Sequence, residues 1–124
     1  MQNTNSKSYR DLVVWQEAKN LVLLIYHIAM LFPKEELYVL SAQMKRATIS
    51  IASNISEGNQ RRSKKDRIRF FNIAQGSLIE LGCQLELAYE LKFTSKTNYE
   101  KGIVKVNHVG YLLTRFIQSE IGRD

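Results

Sequence analysis

Apolar residues recur at helical spacing through most of the chain and predict four long helices. The first begins near Asp11 and ends before Pro33, and it carries two apolar stripes side by side. One stripe consists of Trp15, Ala18, Val22, Ile25, Ala29 and Phe32. The other consists of Val14, Leu21, Leu24, Ile28 and Leu31. Because a helix that is apolar on more than one face is buried on two sides, we assign the first stripe to the core and the second to an oligomer interface.

The second and third helices are predicted to form a hairpin. The second begins near residues 34–36 and reaches Glu57, with Gly58 as its C-terminal cap. Its apolar stripe consists of Leu37, Leu40, Met44, Ala47 and Ile51. The third begins at Ser63, which with Asp66 resembles a capping box. Its heptad-like seam, the most regular in the chain, consists of Phe71, Ala74, Leu78, Leu81, Leu85 and Ala88.

The short connection between these two helices requires them to run antiparallel, with Ser50 opposite Asn72 and Arg46 opposite Gly76. A fourth helix begins near Asn98 and carries apolar residues at helical spacing. The sequence thus predicts an all-α, antiparallel up-down-up-down four-helix bundle over residues 9–121. We expect a disordered tail at residues 1–8 and a short C-terminal tail at residues 122–124. A chain of 124 residues is long enough for one core and too short to suggest two domains.

Several classes of protein are disfavoured by the composition. The longest apolar stretch, residues 21–32, is too short to cross a bilayer, so we expect no membrane span. Cys83 has no partner for an internal disulfide and is interpreted as a core or near-core residue, and the start of the chain lacks a secretory pattern; we therefore expect a cytoplasmic protein. His27 and His108 lie apart from other ligands, and no nucleotide-loop or nucleophile motif occurs. We expect no metal, no cofactor and no enzymatic activity.

The net charge of +6 is concentrated in residues 61–69, where six cations surround Asp66. Clustered cations favour a polyanionic partner, because they raise the local potential and release phosphate counterions together. The candidate nucleic-acid-binding residues are Arg61, Arg62, Lys64, Lys65 and Arg69. The alternative is a solvated entrance to the third helix. Cations at the start of a helix oppose its dipole, so a compensating role in binding or in a salt bridge is expected.

Four other polar residues are interpreted as structural ties that fix helix register or subunit packing: Arg46, Asn54, Glu57 and Glu80. Glu80 is the candidate partner of Arg46, and Glu57 is expected near Lys65. Phe71 begins the core seam, and Phe70 is expected at the core or at a subunit contact rather than as a platform for base stacking.

Three segments together resemble one protein family: "YRDLVVWQEA", "LFPKEELYVLSAQMKRATISIASNISEGNQRRS" and "FFNIAQGSLIELGCQLELAYEL". They are similar to the four-helix-bundle proteins encoded by intervening sequences in bacterial 23S ribosomal RNA genes. These proteins, and the similar accessory variability determinants of diversity-generating retroelements, form five-fold rings. The resemblance implies a homopentamer and favours RNA or other nucleic acid as the partner. The alternative is an oligomeric protein–protein adaptor with no nucleic-acid ligand.

Overall fold

A computed structural model of the protein describes residues 8–36 and 38–123. In these ranges the chain forms four α-helices, α1 (Val13–Met30), α2 (Leu40–Asn59), α3 (Lys64–Glu90) and α4 (Lys96–Ile121). Short 3-10 helices precede α1 at Tyr9–Asp11 and α2 at Lys34–Glu36. No strand occurs in the described ranges, and the predicted all-α class is confirmed. Residues 1–7 of the tail predicted at residues 1–8, Leu37 of the predicted α2 stripe, and Asp124 of the predicted C-terminal tail lie outside the described residues.

Serine caps set the starts of the two longest helices. The Ser63 hydroxyl accepts a hydrogen bond from the Asp66 backbone N–H at 3.1 Å, which confirms the predicted start of α3. Ser95 caps α4 in the same way, so this helix begins at Lys96, slightly earlier than predicted. Asp11, near which the first helix was predicted to begin, lies in the preceding 3-10 helix, and α1 itself begins at Val13.

Each helix packs against two others in a square, with α1 and α3 at opposite corners and each in contact with both α2 and α4. Two contacts show that α2 and α3 run antiparallel. The Ser50 and Ser77 hydroxyls lie 2.8 Å apart, and Gly58 lies against Phe71 nearer the connection between the helices. Ser50 therefore faces Ser77 and not the predicted Asn72, because the pairing depends on how the connection at residues 60–63 places α3 beside α2. These contacts make α2 and α3 antiparallel, as the short connection between them requires.

A single core fills the square. Every residue of the predicted α3 seam is buried, and the predicted seam is therefore confirmed. Cys83 lies between the seam residues Leu81 and Leu85 but points outward, so the prediction of a core or near-core cysteine is wrong. No helix in the described ranges is both long and apolar enough to cross a membrane.

Both apolar stripes of α1 enter this core, so the predicted division between them is wrong. Val14, Leu21 and Ile28, assigned to an oligomer interface, are at most 4% exposed within the chain itself. Leu24 packs half-buried against the core, whereas Leu31 is 58% exposed. The physical reason is that α1 lies between α2 and α4, and its apolar arc must cover both neighbours.

The predicted polar ties have different outcomes. Asn54 donates hydrogen bonds to the Ser50 carbonyl at 2.8 Å and hydroxyl at 3.1 Å, and so joins the polar contact between α2 and α3. Arg46 and Glu80 are both exposed, and these two described side chains form no ion pair with each other. The predicted Arg46–Glu80 tie is wrong because neither charge is buried and neither needs a protein partner.

An ion pair that the sequence pattern did not indicate joins α1 to α4. Lys105 Nζ donates to a carboxylate oxygen of Glu17, and His108 Nε2 lies 4.0 Å from the same oxygen. The hydrogen bond from Lys105 is the main cause that lowers the pKa of Glu17. The lowered pKa keeps Glu17 ionised at more acidic pH than an isolated glutamate. The partners are 88 residues apart, so no local spacing could reveal them.

Gly58 permits the close approach of α2 to α3. It lies inside α2 rather than capping it, and a Cβ there would be 2.6 Å from Phe71 Cε1. At Gly76, by contrast, an added Cβ would meet nothing within 4 Å. The glycine at position 58 is therefore required by packing and not by backbone conformation.

We expect Gly58→Ala to destabilise the fold by about 1 to 3 kcal/mol, because the methyl group displaces a buried aromatic ring. Gly76→Ala is the matched control in an open helical position, and we expect it to be neutral or to stabilise the fold by up to about 1 kcal/mol. Urea unfolding followed by circular dichroism measures both variants. Equal effects from the two changes would contradict the packing role of Gly58.

Candidate nucleic-acid interface at one end of the bundle

The end of α2, the connection at residues 60–63 and the first turns of α3 lie together at one end of the bundle, beside the end of α4. Lys64 Nζ donates to the Ile121 backbone carbonyl at 3.1 Å and joins α3 to the last turn of α4. This contact also places a cation at the negative end of the α4 dipole. We call this end, residues 57–70 with residues 120–123, the basic tip.

Arg67 joins α3 to Glu120 and to the connection at residues 60–63 by hydrogen bonds inside the basic tip. Its Nε donates to Glu120 Oε1 at 2.8 Å, and Glu120 is only 5% exposed. Its Nη1 donates to the backbone carbonyls of Arg61 at 3.3 Å and Arg62 at 2.7 Å. Arg123 pairs with the other oxygen of Glu120 at 3.1 Å. Arg67 is thus committed to the fold, and it provides the compensating salt bridge that the helix-dipole argument predicts.

Two further arginines lie against one aromatic ring. The guanidinium carbons of Arg61 and Arg69 lie 4.7 Å and 4.6 Å from the centre of the Phe70 ring. Arg61 also pairs with Glu57 at 2.6 Å, and Arg69 with Asp66 at 3.7 Å. Both ion pairs are exposed, so they contribute little and are screened by salt. A phosphate oxygen can replace either carboxylate.

The predicted proximity of Glu57 to Lys65 is replaced by the pair between Glu57 and Arg61, one helical turn apart. Phe71 is fully buried edge-on against Phe116, with ring centres 5.0 Å apart, as expected of a core residue. Half-buried Phe70 instead supports the two guanidinium groups by cation–π contact.

Arg62 and Lys65 are the exposed cations of the basic tip that form no ion pair with a carboxylate of residues 8–36 or 38–123. The backbone of Arg62 is held by Arg67, while its side chain reaches water. These two positive charges are available to an anionic ligand without breaking any internal contact.

Charge is distributed unevenly between the two ends of the bundle. Seven cations lie there with three carboxylates: Arg61, Arg62, Lys64, Lys65, Arg67, Arg69 and Arg123 with Glu57, Asp66 and Glu120. The opposite end carries charges of both signs: Lys34, Lys92 and Lys96 with Glu35, Glu36 and Glu90. An anion is therefore attracted to one end of the bundle in particular.

The sequence and the fold of this chain both match known proteins. The model of the 23S rRNA-intervening sequence protein family matches residues 10–115, which include the basic run. The chain belongs to this family. A solved family relative supports the assignment: a protein of unknown function from the S23 ribosomal protein family of Bacteroides thetaiotaomicron is 27% identical, with a TM-score of 0.79. The match covers 85% of this chain and 98% of that chain. No curated protein matches at a significant level.

The family resemblance seen in the sequence is thereby confirmed, and the structure gathers all five candidate binding residues at the basic tip. Their environments differ: Lys64 is bonded to the end of α4, whereas Lys65 faces water. Arg67, the residue that orders this end, was not among the candidates. Its partner Glu120 is 53 residues away, so spacing within α3 gave no indication of the contact.

Arg67→Met is expected to destabilise the fold by about 3 kcal/mol, because it leaves a buried carboxylate with one partner fewer and frees two loop carbonyls. Arg62→Gln, five positions away in the same basic run, should change stability by less than about 0.5 kcal/mol. The free energy of unfolding in urea measures both. Similar costs for the two variants would show that Arg67 is not a distinct structural residue.

Proposed function

We propose that this protein is a non-enzymatic, oligomeric RNA-binding protein that contacts phosphates through its basic tip. The observation that carries the proposal is that Arg62 and Lys65 are exposed and lack carboxylate partners in the described residues, on an end where cations outnumber carboxylates. Phosphate binding depends on the charge and shape of the basic tip. The proposal therefore includes no catalytic step and no cofactor. We expect the protein to act in the cytoplasm, with its RNA partner.

The internal contacts of the basic tip support a division between cations that build it and cations that bind. Arg67 and Lys64 hold α3 to the end of α4. Arg61 and Arg69 rest on Phe70 with their guanidinium groups at the surface, in exposed ion pairs that an incoming phosphate can replace. The planar guanidinium of each matches phosphate geometry. Together with Arg62 and Lys65, these two arginines can contact a phosphate backbone, and they make no base-specific contact.

Self-association is the second part of the proposal. Leu23, Tyr26 and Met30 recur at steps of three and four along α1 and are all exposed, with Leu23 at 63% and Met30 at 65%. We call these three residues the outer stripe. Its neighbour on α2 is Lys45, whose Nζ lies 5.3 Å from the centre of the Tyr26 ring. An exposed apolar stripe of this kind favours burial against another subunit.

The resemblance to ring-forming bundles makes a homopentamer the specific expectation. Five basic tips on one side of a ring would convert a weak phosphate contact into a tight one, because each further contact is intramolecular. The adaptor hypothesis requires the same assembly but no RNA, and the experiments below separate the two.

Replacing Arg62, Lys65 and Arg69 together by Gln tests the RNA contact. We expect weaker binding to a structured RNA and a flatter dependence of log affinity on log salt, by about 0.7 to 0.9 for each phosphate that the variant no longer neutralises. Filter binding over a range of salt concentrations measures both. The variant should keep its helical circular dichroism, since none of the three residues contributes to the core.

The matched control removes three positive charges from the opposite end, by Gln substitution at Lys34, Lys96 and Lys101. It lowers the net charge equally, and we expect its RNA affinity and salt slope to stay close to those of the unaltered protein. If the tip variant binds RNA unchanged, the basic run is a solvated helix entrance and the adaptor hypothesis is preferred. If both variants lose affinity equally, binding does not reside at the tip.

Light scattering should give a mass near five times the 14.4 kDa of one chain. Leu23→Glu with Met30→Glu should dissociate the assembly and leave its helices intact, because both side chains are exposed in the single chain. Ile79→Glu with Val104→Glu, at exposed apolar positions on α3 and α4, is the control. A protein that remains monomeric at micromolar concentration would rule out the oligomer.

A further inference from the structure

A cleft of about 430 Å³ lies beside the first turns of α1, and the basic tip contributes no residue to it. Its lining residues are Arg10, Trp15, Gln16, Lys19 and Asn20. The cleft is open to solvent and mainly polar, and its volume is within the range of small-molecule sites. The lining combines one large aromatic ring with two cations and two side-chain amides.

The aromatic wall of the cleft is held in place. Trp15 is half-buried and packs against the core, and its ring meets the Tyr9 ring edge-on with centres 4.8 Å apart. Gln16 Nε2 donates to the Arg10 backbone carbonyl at 2.8 Å and fixes the 3-10 helix against α1. Trp15 and Gln16 are therefore held in place by contacts within the protein, which reduces the entropy lost on binding.

Both cations of the cleft lie over aromatic rings and are not neutralised by a carboxylate of the described residues. The Arg10 guanidinium lies 4.8 Å from the centre of the Tyr9 ring, and Lys19 Nζ lies 5.8 Å from the centre of the Trp15 ring. Neither forms an ion pair with any carboxylate in the described parts of the chain. Two unpaired cations beside an indole favour a ligand that has an aromatic ring and a negative charge.

From this geometry we infer that the cleft binds a nucleoside monophosphate unit, with its base against Trp15 and its phosphate between Arg10 and Lys19. Stacking on an aromatic ring accepts any base. The guanidinium and ammonium groups supply charge-assisted hydrogen bonds to the phosphate. The unit can be a free nucleotide or the 5′-phosphorylated end of an RNA strand, because both present the same base and phosphate.

The inference is independent of RNA binding at the basic tip, since no residue is shared between the two surfaces. The 3-10 helix and the start of α1 nevertheless lie at the same end of the bundle as the end of α2. A strand whose backbone rests on the tip could therefore place its terminal nucleotide in the cleft. In this arrangement an RNA with a free strand end can occupy the cleft, whereas a continuous duplex cannot.

The test uses the fluorescence of Trp15, the single tryptophan of the chain. We expect AMP to quench it saturably, and adenosine to bind more weakly because it lacks the phosphate. Arg10→Gln with Lys19→Gln should weaken AMP binding by about tenfold or more and leave adenosine binding unchanged. Lys96→Gln with Lys101→Gln is the charge-matched control and should bind AMP normally.

Oligoadenylates with a 5′-phosphate or a 5′-hydroxyl identify the source of the ligand. Tighter binding of the phosphorylated strand than of AMP assigns the cleft to RNA ends, and the reverse assigns it to free nucleotides. The inference is overturned if neither ligand quenches Trp15 saturably up to about 10 mM. It is equally overturned if the Arg10/Lys19 variant binds AMP like the unaltered protein. The tip variant should retain AMP binding, which separates failure of the cleft from failure of the proposed function.

Discussion

The ion pair between Arg67 and Glu120 is the contact on which the basic tip depends. Glu120 is almost fully buried at the end of α4, where an unpaired carboxylate would be costly. Arg67 compensates that charge and donates to two carbonyls of the preceding connection. One cation of the basic run is thus used to order the loop that carries Arg61 and Arg62. The remaining cations are presented on a fixed surface, which lowers the ordering cost of an anion contact.

Local patterns in the sequence correctly predicted the features of the fold that depend on residues close together in the chain. The α3 seam and its Ser63 cap depend on residues within one helix, and both are confirmed. The pairs Arg67–Glu120 and Glu17–Lys105 join residues on different helices, and no spacing rule connects such distant positions. The same limit explains the error in α1: periodicity gives the width of an apolar arc, but not which neighbour covers it.

The candidate site shows a similar division. Composition located the positive field correctly, because six cations in nine residues remain clustered in any fold. It could not separate Arg67, which is bonded internally, from Lys65, which is exposed, since that distinction depends on the position of α4. The outer stripe and the Trp15 cleft likewise became visible only once the burial of each α1 residue was known.

Contact between the basic tip and RNA is the central claim for this protein. Photo-crosslinking of the protein to RNA in cells, followed by mass spectrometry of the crosslinked peptides, locates that contact directly and recovers the RNA in the same experiment. We predict crosslinks within residues 60–70. Crosslinks concentrated at the opposite end, around residues 92–101, or recovery of protein partners with no RNA, would contradict the claim.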